Sequence, residues 1–277
     1  MMEELTLNDG LKIPALGFGT YLLRGISGVE CIKSAVAAGY RLIDAAVDYE
    51  NEGTVGQAVR EAPVGREELF IASKLPGRHH AYGAALDTVR ESLYRAGLDY
   101  YDLYLIHWPN PRRDRYVEAW QALIEARSRG LVRSVGVCNF LPEHLERLKR
   151  ETGVLPSVNQ IELHPYFSQL EQLEWHRARG IVTQAWSPLG RGSEMLRDPL
   201  IEKIARAHGK NTAQAILRWH LQHGALPLPK AGSRRHQAEN LDVFDFALTD
   251  GELKAMDALT RENGRINDKD PAVYEQL

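Results

Sequence analysis

Short apolar runs and longer stretches of helical periodicity alternate along most of the chain. Residues 16–19, 42–44, 69–74 and 103–107 are apolar runs too short for long helices, so they read as strands. The pattern continues with strands predicted at 135–139, 158–162, 181–186 and 225–229. Helices are predicted at 29–38, 53–60, 81–96, 116–129, 142–151, 169–179, 213–223 and 237–243. Strictly alternating strands and helices specify a parallel sheet, and eight of them favour closure into a (β/α)8 barrel, expected as a single domain over residues 1–277. Ahead of it, Leu5-Thr-Leu7, Asn8-Asp-Gly10 and Leu11-Lys-Ile13 have the turn chemistry of a hairpin ended by Pro14, suited to capping the barrel floor. Residues 187–199, rich in glycine and charge, and the tail 263–277 are too polar for core and are expected as loops over the mouth.

Composition narrows the function classes. A net charge of -3 gives no broad cationic field for nucleic acid or an anionic membrane. Arg112, Arg113 and Arg115 form a local basic patch that reads as a solvated loop. Cys31 and Cys138 lack metal-ligand spacing, so neither a disulfide framework nor a metal site is expected, in keeping with a reducing cytoplasm. The acidic start lacks the apolar core of a signal peptide and no apolar run approaches a membrane span, so a soluble, unprocessed protein is expected.

Three polar residues stand at the carboxyl ends of predicted strands: Asp44, Lys74 and His107, with Tyr49 one loop beyond the first. In such a barrel these ends share one mouth, so residues distant in sequence converge there. A free phenol titrates near pH 10 and is a poor acid at neutral pH unless a cation stabilises its phenolate. Lys74 supplies that charge, Asp44 can hold Lys74 protonated, and His107 can donate to a carbonyl oxygen gaining negative charge. A lysine at a strand end also suits a Schiff-base aldolase, and a barrel can keep a nucleotide groove without turnover. The run Gly17-Phe-Gly-Thr-Tyr-Leu22 begins like a dinucleotide fingerprint but has Leu22 at the third glycine and opens no helix, so an ordinary Rossmann site is not expected.

Leu42-Ile-Asp-Ala-Ala-Val-Asp-Tyr-Glu-Asn-Glu52, Ser73-Lys74, Leu105-Ile-His-Trp-Pro109, Gly136-Val-Cys-Asn-Phe140, Asn159-Gln160 and Ser187-Pro-Leu-Gly190 follow in order. With these motifs the chain closely resembles the aldo-keto reductase family nearly end to end, and bacterial members of its diketogluconate reductase-like group in particular. The resemblance implies a (β/α)8 barrel that binds an extended nicotinamide dinucleotide and reduces aldehydes or ketones. It implies Tyr49 as proton donor, Lys74 and Asp44 as the pair that lowers its pKa, and His107 as the residue orienting the carbonyl.

It also implies that Asn139 and Gln160 hold the nicotinamide carboxamide and that Trp186 stacks on the ring. Gly19, Thr20, Tyr21 and Cys138 are further cofactor positions, as are Ser187 and Leu189. Lys230, Ala231, Gly232 and Ser233, then His236, Glu239 and Asn240, match the adenosine-phosphate segment. Cys138 and Trp186 replace a more usual Ser and Tyr. Ala231 replaces a phosphate-binding Ser and His236 an Arg, so NADPH is expected with appreciable use of NADH.

Candidate substrate contacts by resemblance are Tyr21, Asp48, Tyr49, Tyr82, His107 and Trp108. An anionic Asp48 in the pocket would repel carboxylates and favour neutral or cationic carbonyl compounds. Alternatively, Asp48 points into solvent or pairs with an arginine. No nucleic-acid or membrane partner is expected, and the resemblance implies a monomer.

Overall fold

The structure, a computed structural model, describes residues 3–276. The expectations for the start and the tail extend to Met1, Met2 and Leu277, which lie outside the described residues. β1 (Glu4–Thr6) and β2 (Lys12–Pro14) pair antiparallel as the expected hairpin. Eight strands then form one parallel sheet: β3 (Gly17–Gly19), β4 (Leu42–Asp44), β5 (Phe70–Leu75), β6 (Tyr101–Ile106), β7 (Val132–Cys138), β8 (Val158–Glu162), β9 (Val182–Trp186) and β10 (Ala225–Pro227). They pair in sequence order, and the Gly19 N–H donates to Pro229 O at 3.1 Å across the seam between the first and the last.

Helices α1 (Gly25–Ala38), α2 (Glu52–Arg60), α3 (Tyr82–Ala96), α4 (Tyr116–Ser128), α5 (Pro142–Thr152) and α6 (Leu170–Arg177) connect the strands up to β9. After β9 come α7 (Pro199–Ala207) and α8 (Thr212–Gln222), and after β10 come α9 (Arg234–Leu241) and α10 (Asp250–Asp257). The hydrophobic pattern alone does not predict α7 and α10. Both carry start signals: Asp198 accepts from the N–H groups of Leu200 and Ile201 ahead of Pro199, and Thr249 with Glu252 forms a capping box.

The period of two in the strands decides which side chains face the axis. Leu42, Phe70, Ala72, Leu103 and Leu105 pack together inside the barrel with Val158. Leu7 and Ile13 of the hairpin join this cluster and close the floor. Ile43, Ile71, Tyr104 and Ile106, one residue out of phase, pack against the helices. Counting on by two from the interior residues reaches Asp44, Lys74, His107 and Gln160. The polar residues at the mouth therefore continue the same inward-facing rows as the core.

Candidate active site

Asp44 ends β4, Lys74 lies in β5 and His107 directly follows β6, while Tyr49 sits in the short turn Val47–Tyr49. Lys74 Nζ donates to Asp44 Oδ2 at 2.6 Å, to Ala45 O at 2.8 Å and to the Tyr49 hydroxyl at 3.4 Å. The second Asp44 oxygen accepts from Gln160 Nε2 at 2.9 Å. The rings of Tyr49 and His107 meet edge to face, with centroids 5.9 Å apart. The four residues that the sequence brings forward are one cluster in space.

Two anchors fix the turn that carries Tyr49. Asn51 donates through Nδ2 to both Thr20 O and Thr20 Oγ1 at 2.9 Å, tying the turn to the end of β3. Glu52, buried at the start of α2, accepts from Ser73 Oγ at 2.6 Å and from Arg95 Nη2 at 2.7 Å, tying it to β5 and α3. α2 can lie that close to α3 because of Gly56, where a Cβ would come within 1.7 Å of Ala96 O.

Burial dominates the protonation of the cluster. Desolvation pushes the Tyr49 hydroxyl up to about 12, and the nearby Lys74 charge offsets only part of that rise. Lys74 lowers the hydroxyl's pKa as expected, whereas Asp44 raises it instead of helping, and burial outweighs the cation. For Lys74 burial works against the charge, but Asp44 overcomes it and the ammonium is held above its usual range. Burial, with the charges of Lys74, Lys269 and Arg78, holds the His107 imidazole well below its ordinary value, so it is neutral at pH 7. A protonated phenol, a charged amine and a neutral imidazole stand together at the mouth.

The cluster opens on a cleft of about 920 Å³. Asp48, Tyr49, His107 and Trp108 line one end, and Tyr21 and Trp186 lie along it. Gly19, Thr20, Cys138, Asn139 and Gln160 also line it, as do Ser187 and Leu189. Lys230, His236, Glu239 and Asn240 line it as well. Arg191, from the segment expected as a mouth loop, lies with its guanidinium 5.7 Å from the Tyr21 ring centroid. Asn267, Lys269 and Gln276 of the tail add to the wall at the mouth.

Four of the expected contact residues are not among those lining the cleft. Tyr82 is exposed in the first turn of α3 and does not line the cleft. Ala231 is buried against the apolar core, where a serine hydroxyl would need a new partner. Ser233 uses its hydroxyl to cap α9, accepting from the His236 N–H, and Gly232 sits in the exposed bend before it. Asp48 does lie in the cleft wall, but Arg78 Nη1 pairs with its Oδ1 at 2.5 Å. The arginine-paired alternative is the one found, so the argument for repulsion of carboxylates loses its bare anion. Neither Arg78 nor Gln276, which also bonds Asp48, carries a local sequence signal for this role.

The residues present fit a dinucleotide. Gln160 gives its amide hydrogens to Asp44 Oδ1 and Gln184 Oε1, and among the described residues no donor reaches its own Oε1. A carboxamide N–H suits that acceptor. Trp186 donates its indole N–H to Asn139 Oδ1 at 2.8 Å, and Asn139 Nδ2 donates to His107 O at 3.0 Å, which fixes both side chains beside the cluster. Asn139 and Ser187 both hold left-handed backbone, at φ 61° and 49°, a strain that concentrates at binding sites. At the far end, Lys230 and the N-terminal turn of α9 with Arg234 offer positive charge suited to phosphate, while Arg235 pairs with Glu239 at 2.7 Å.

Comparison with known proteins agrees with this geometry. The model of the aldo/keto reductase family matches residues 15–261. The chain is 49% identical over 276 residues to 2,5-diketo-D-gluconic acid reductase B of Corynebacterium sp. (strain SHS752001), covering 100% of this chain and 99% of the relative. It is 44% identical over 250 residues to methylglyoxal reductase DkgA of Escherichia coli (strain K12), covering 90% of each. A crystal structure of a Gox0644 mutant in complex with NADPH superposes with a TM-score of 0.94 at 40% identity, covering 99% of each chain. The chain belongs to the aldo/keto reductase family.

Proposed function

We propose that this protein reduces small aldehydes or ketones to alcohols with NADPH, as one barrel domain acting as a monomer in the cytoplasm. The observation that carries the reading is the sealed Lys74–Asp44 pair beside the Tyr49 hydroxyl, at the end of a cleft that continues to Lys230 and Asn240. When bound, the dinucleotide supplies a hydride. Gln160 and Asn139 hold its carboxamide, Trp186 covers the ring, and Lys230 with Arg234 meets phosphate. Tyr49 keeps its proton until the carbonyl oxygen gains charge and then donates it, while the Lys74 ammonium steadies the phenolate left behind. His107, neutral, donates a hydrogen bond to the same oxygen.

The fully buried, charged Lys74 is unsuited to Schiff-base chemistry, which needs a free amine open to substrate. His236 and Ala231 stand where the family's usual phosphate contacts are missing, so NADH serves as a second hydride source. The pairing of Asp48 with Arg78 admits carboxylate substrates, in keeping with a relative named for a keto acid. The test is oxidation of NADPH and NADH with neutral, cationic and anionic carbonyl compounds, with Tyr49→Phe as control. Turnover lost in the control supports the reading, whereas no turnover with either cofactor overturns it.

A further inference from the structure

The tail returns to the mouth, where one side chain is held by contacts that dictate its orientation. Gln276 Nε2 donates to Asp48 Oδ2 at 2.6 Å, and its Oε1 accepts the Gly77 N–H at 3.1 Å. An ionised carboxylate, here paired with Arg78, only accepts, and a backbone N–H only donates. Flipping the carboxamide would set oxygen against oxygen and hydrogen against hydrogen, so its orientation is forced. Asn110 holds the backbone of the same residue. Its Oδ1 accepts from Gln276 N at 3.0 Å and its Nδ2 donates to Gln276 O at 2.8 Å. A Cβ on Gly77 would fall 2.4 Å from Gln276 O, so this approach requires glycine.

The oriented Gln276 Nε2 lies 3.0 Å from His107 Nδ1. An amide nitrogen has no lone pair to offer, so Nδ1 must be the acceptor and a neutral ring carries its proton on Nε2. Asp48 Oδ2 is 3.8 Å from Nδ1, too far for a hydrogen bond, so the amide and not the carboxylate sets the ring. No described residue bonds His107 Nε2, and His107 lines the cleft.

We propose that Gln276, oriented by Asp48 and Gly77, is a positioning residue that fixes His107 as the tautomer protonated on Nε2 and so presents a donor to the carbonyl oxygen. The link to turnover rests on the carbonyl-reduction reading, whereas the tautomer stands apart from it. Asp48 then serves by aiming an amide rather than by meeting substrate.

The test is nitrogen NMR of the full chain labelled with 15N-histidine, the His107 signals being assigned by their loss in His107→Gln. In the unmodified protein His107 shows a bare Nδ1 and a protonated Nε2. Gln276→Leu populates both tautomers and lowers kcat about tenfold with little change in cofactor KM. Gln276→Glu, which puts an acceptor against the ring, draws the proton to Nδ1. A protonated Nδ1 in the unmodified protein, or a tautomer unmoved by both substitutions, overturns the proposal. A tautomer that responds as expected in a protein without carbonyl turnover supports the positioning role and overturns the reductase reading instead.

Discussion

Lys74 Nζ sits 2.6 Å from Asp44 Oδ2 with both side chains almost wholly out of solvent. Breaking such a pair from one side strands a buried charge, a loss of about 3–5 kcal/mol. Asp44→Asn is therefore expected to lower unfolding free energy by about that amount and to reduce turnover, because the ammonium beside Tyr49 loses the carboxylate that keeps it charged. Denaturant titration followed by single-turnover kinetics measures both. A stability change under about 1 kcal/mol would count against the pair as described.

Arg78→Met leaves the Asp48 carboxylate without its cation at the end of the cleft proposed for substrate. The KM for a keto acid is expected to rise about fivefold, roughly 1 kcal/mol of repulsion across the pocket, while that of its neutral ester stays constant. Equal changes for acid and ester would show that substrate charge does not sense this position.

His236 lines the cleft beside Lys230 and Asn240, at the end proposed for the adenosine phosphate. The unmodified protein is expected to favour NADPH over NADH by less than about 1000-fold in affinity, roughly 4 kcal/mol. His236→Arg should widen the ratio by about tenfold through a charge-assisted contact with the 2'-phosphate. Fluorescence titration of the two cofactors checks this, and a ratio unmoved by the substitution rules out His236 as its determinant.

His176 braces β8 from α6: its Nε2 accepts from Asn159 Nδ2 at 3.0 Å, and Nδ1 lies 2.8 Å from Thr183 Oγ1. Burial depresses its pKa to about 3, against about 6.5 in an unfolded chain. Because the unfolded state binds the proton more readily, the stabilisation is whole above pH ~6.5 and is lost as pH falls toward ~3. The loss is on the order of 5 kcal/mol when the fold survives to the lower limit. Thermal melts between about pH 7 and 4 should show Tm falling, and His176→Gln should flatten that slope.

Asp44, Lys74 and His107 are legible in the sequence because strand periodicity makes their positions arithmetic: each extends an inward-facing row by one step. Tyr49 needs the resemblance as well, since a turn has no such period. The two partners of Asp48 are not legible, because the Arg78 guanidinium and the Gln276 amide approach from separate segments and only the fold brings them together. The raised pKa of Tyr49 is equally hidden, since desolvation depends on what packs around a hydroxyl. α7 and α10 show the opposite case, where capping signals are present at Asp198 and Thr249 but the polar loops beside them obscure the helical period.

The seam of the barrel runs beneath the cofactor end of the cleft, where Gly19 of β3 reaches Pro229 just past β10. A chain grown only as far as His107 already contains Asp44, Tyr49 and Lys74, yet lacks Lys230, His236 and Asn240. The half proposed for the chemistry is encoded early, and the half proposed to grip the cofactor exists only once the two edges of the sheet have met. A dinucleotide lying across that junction acts as a clasp, and at about 100 times its Kd it adds roughly 2.7 kcal/mol against the barrel springing open.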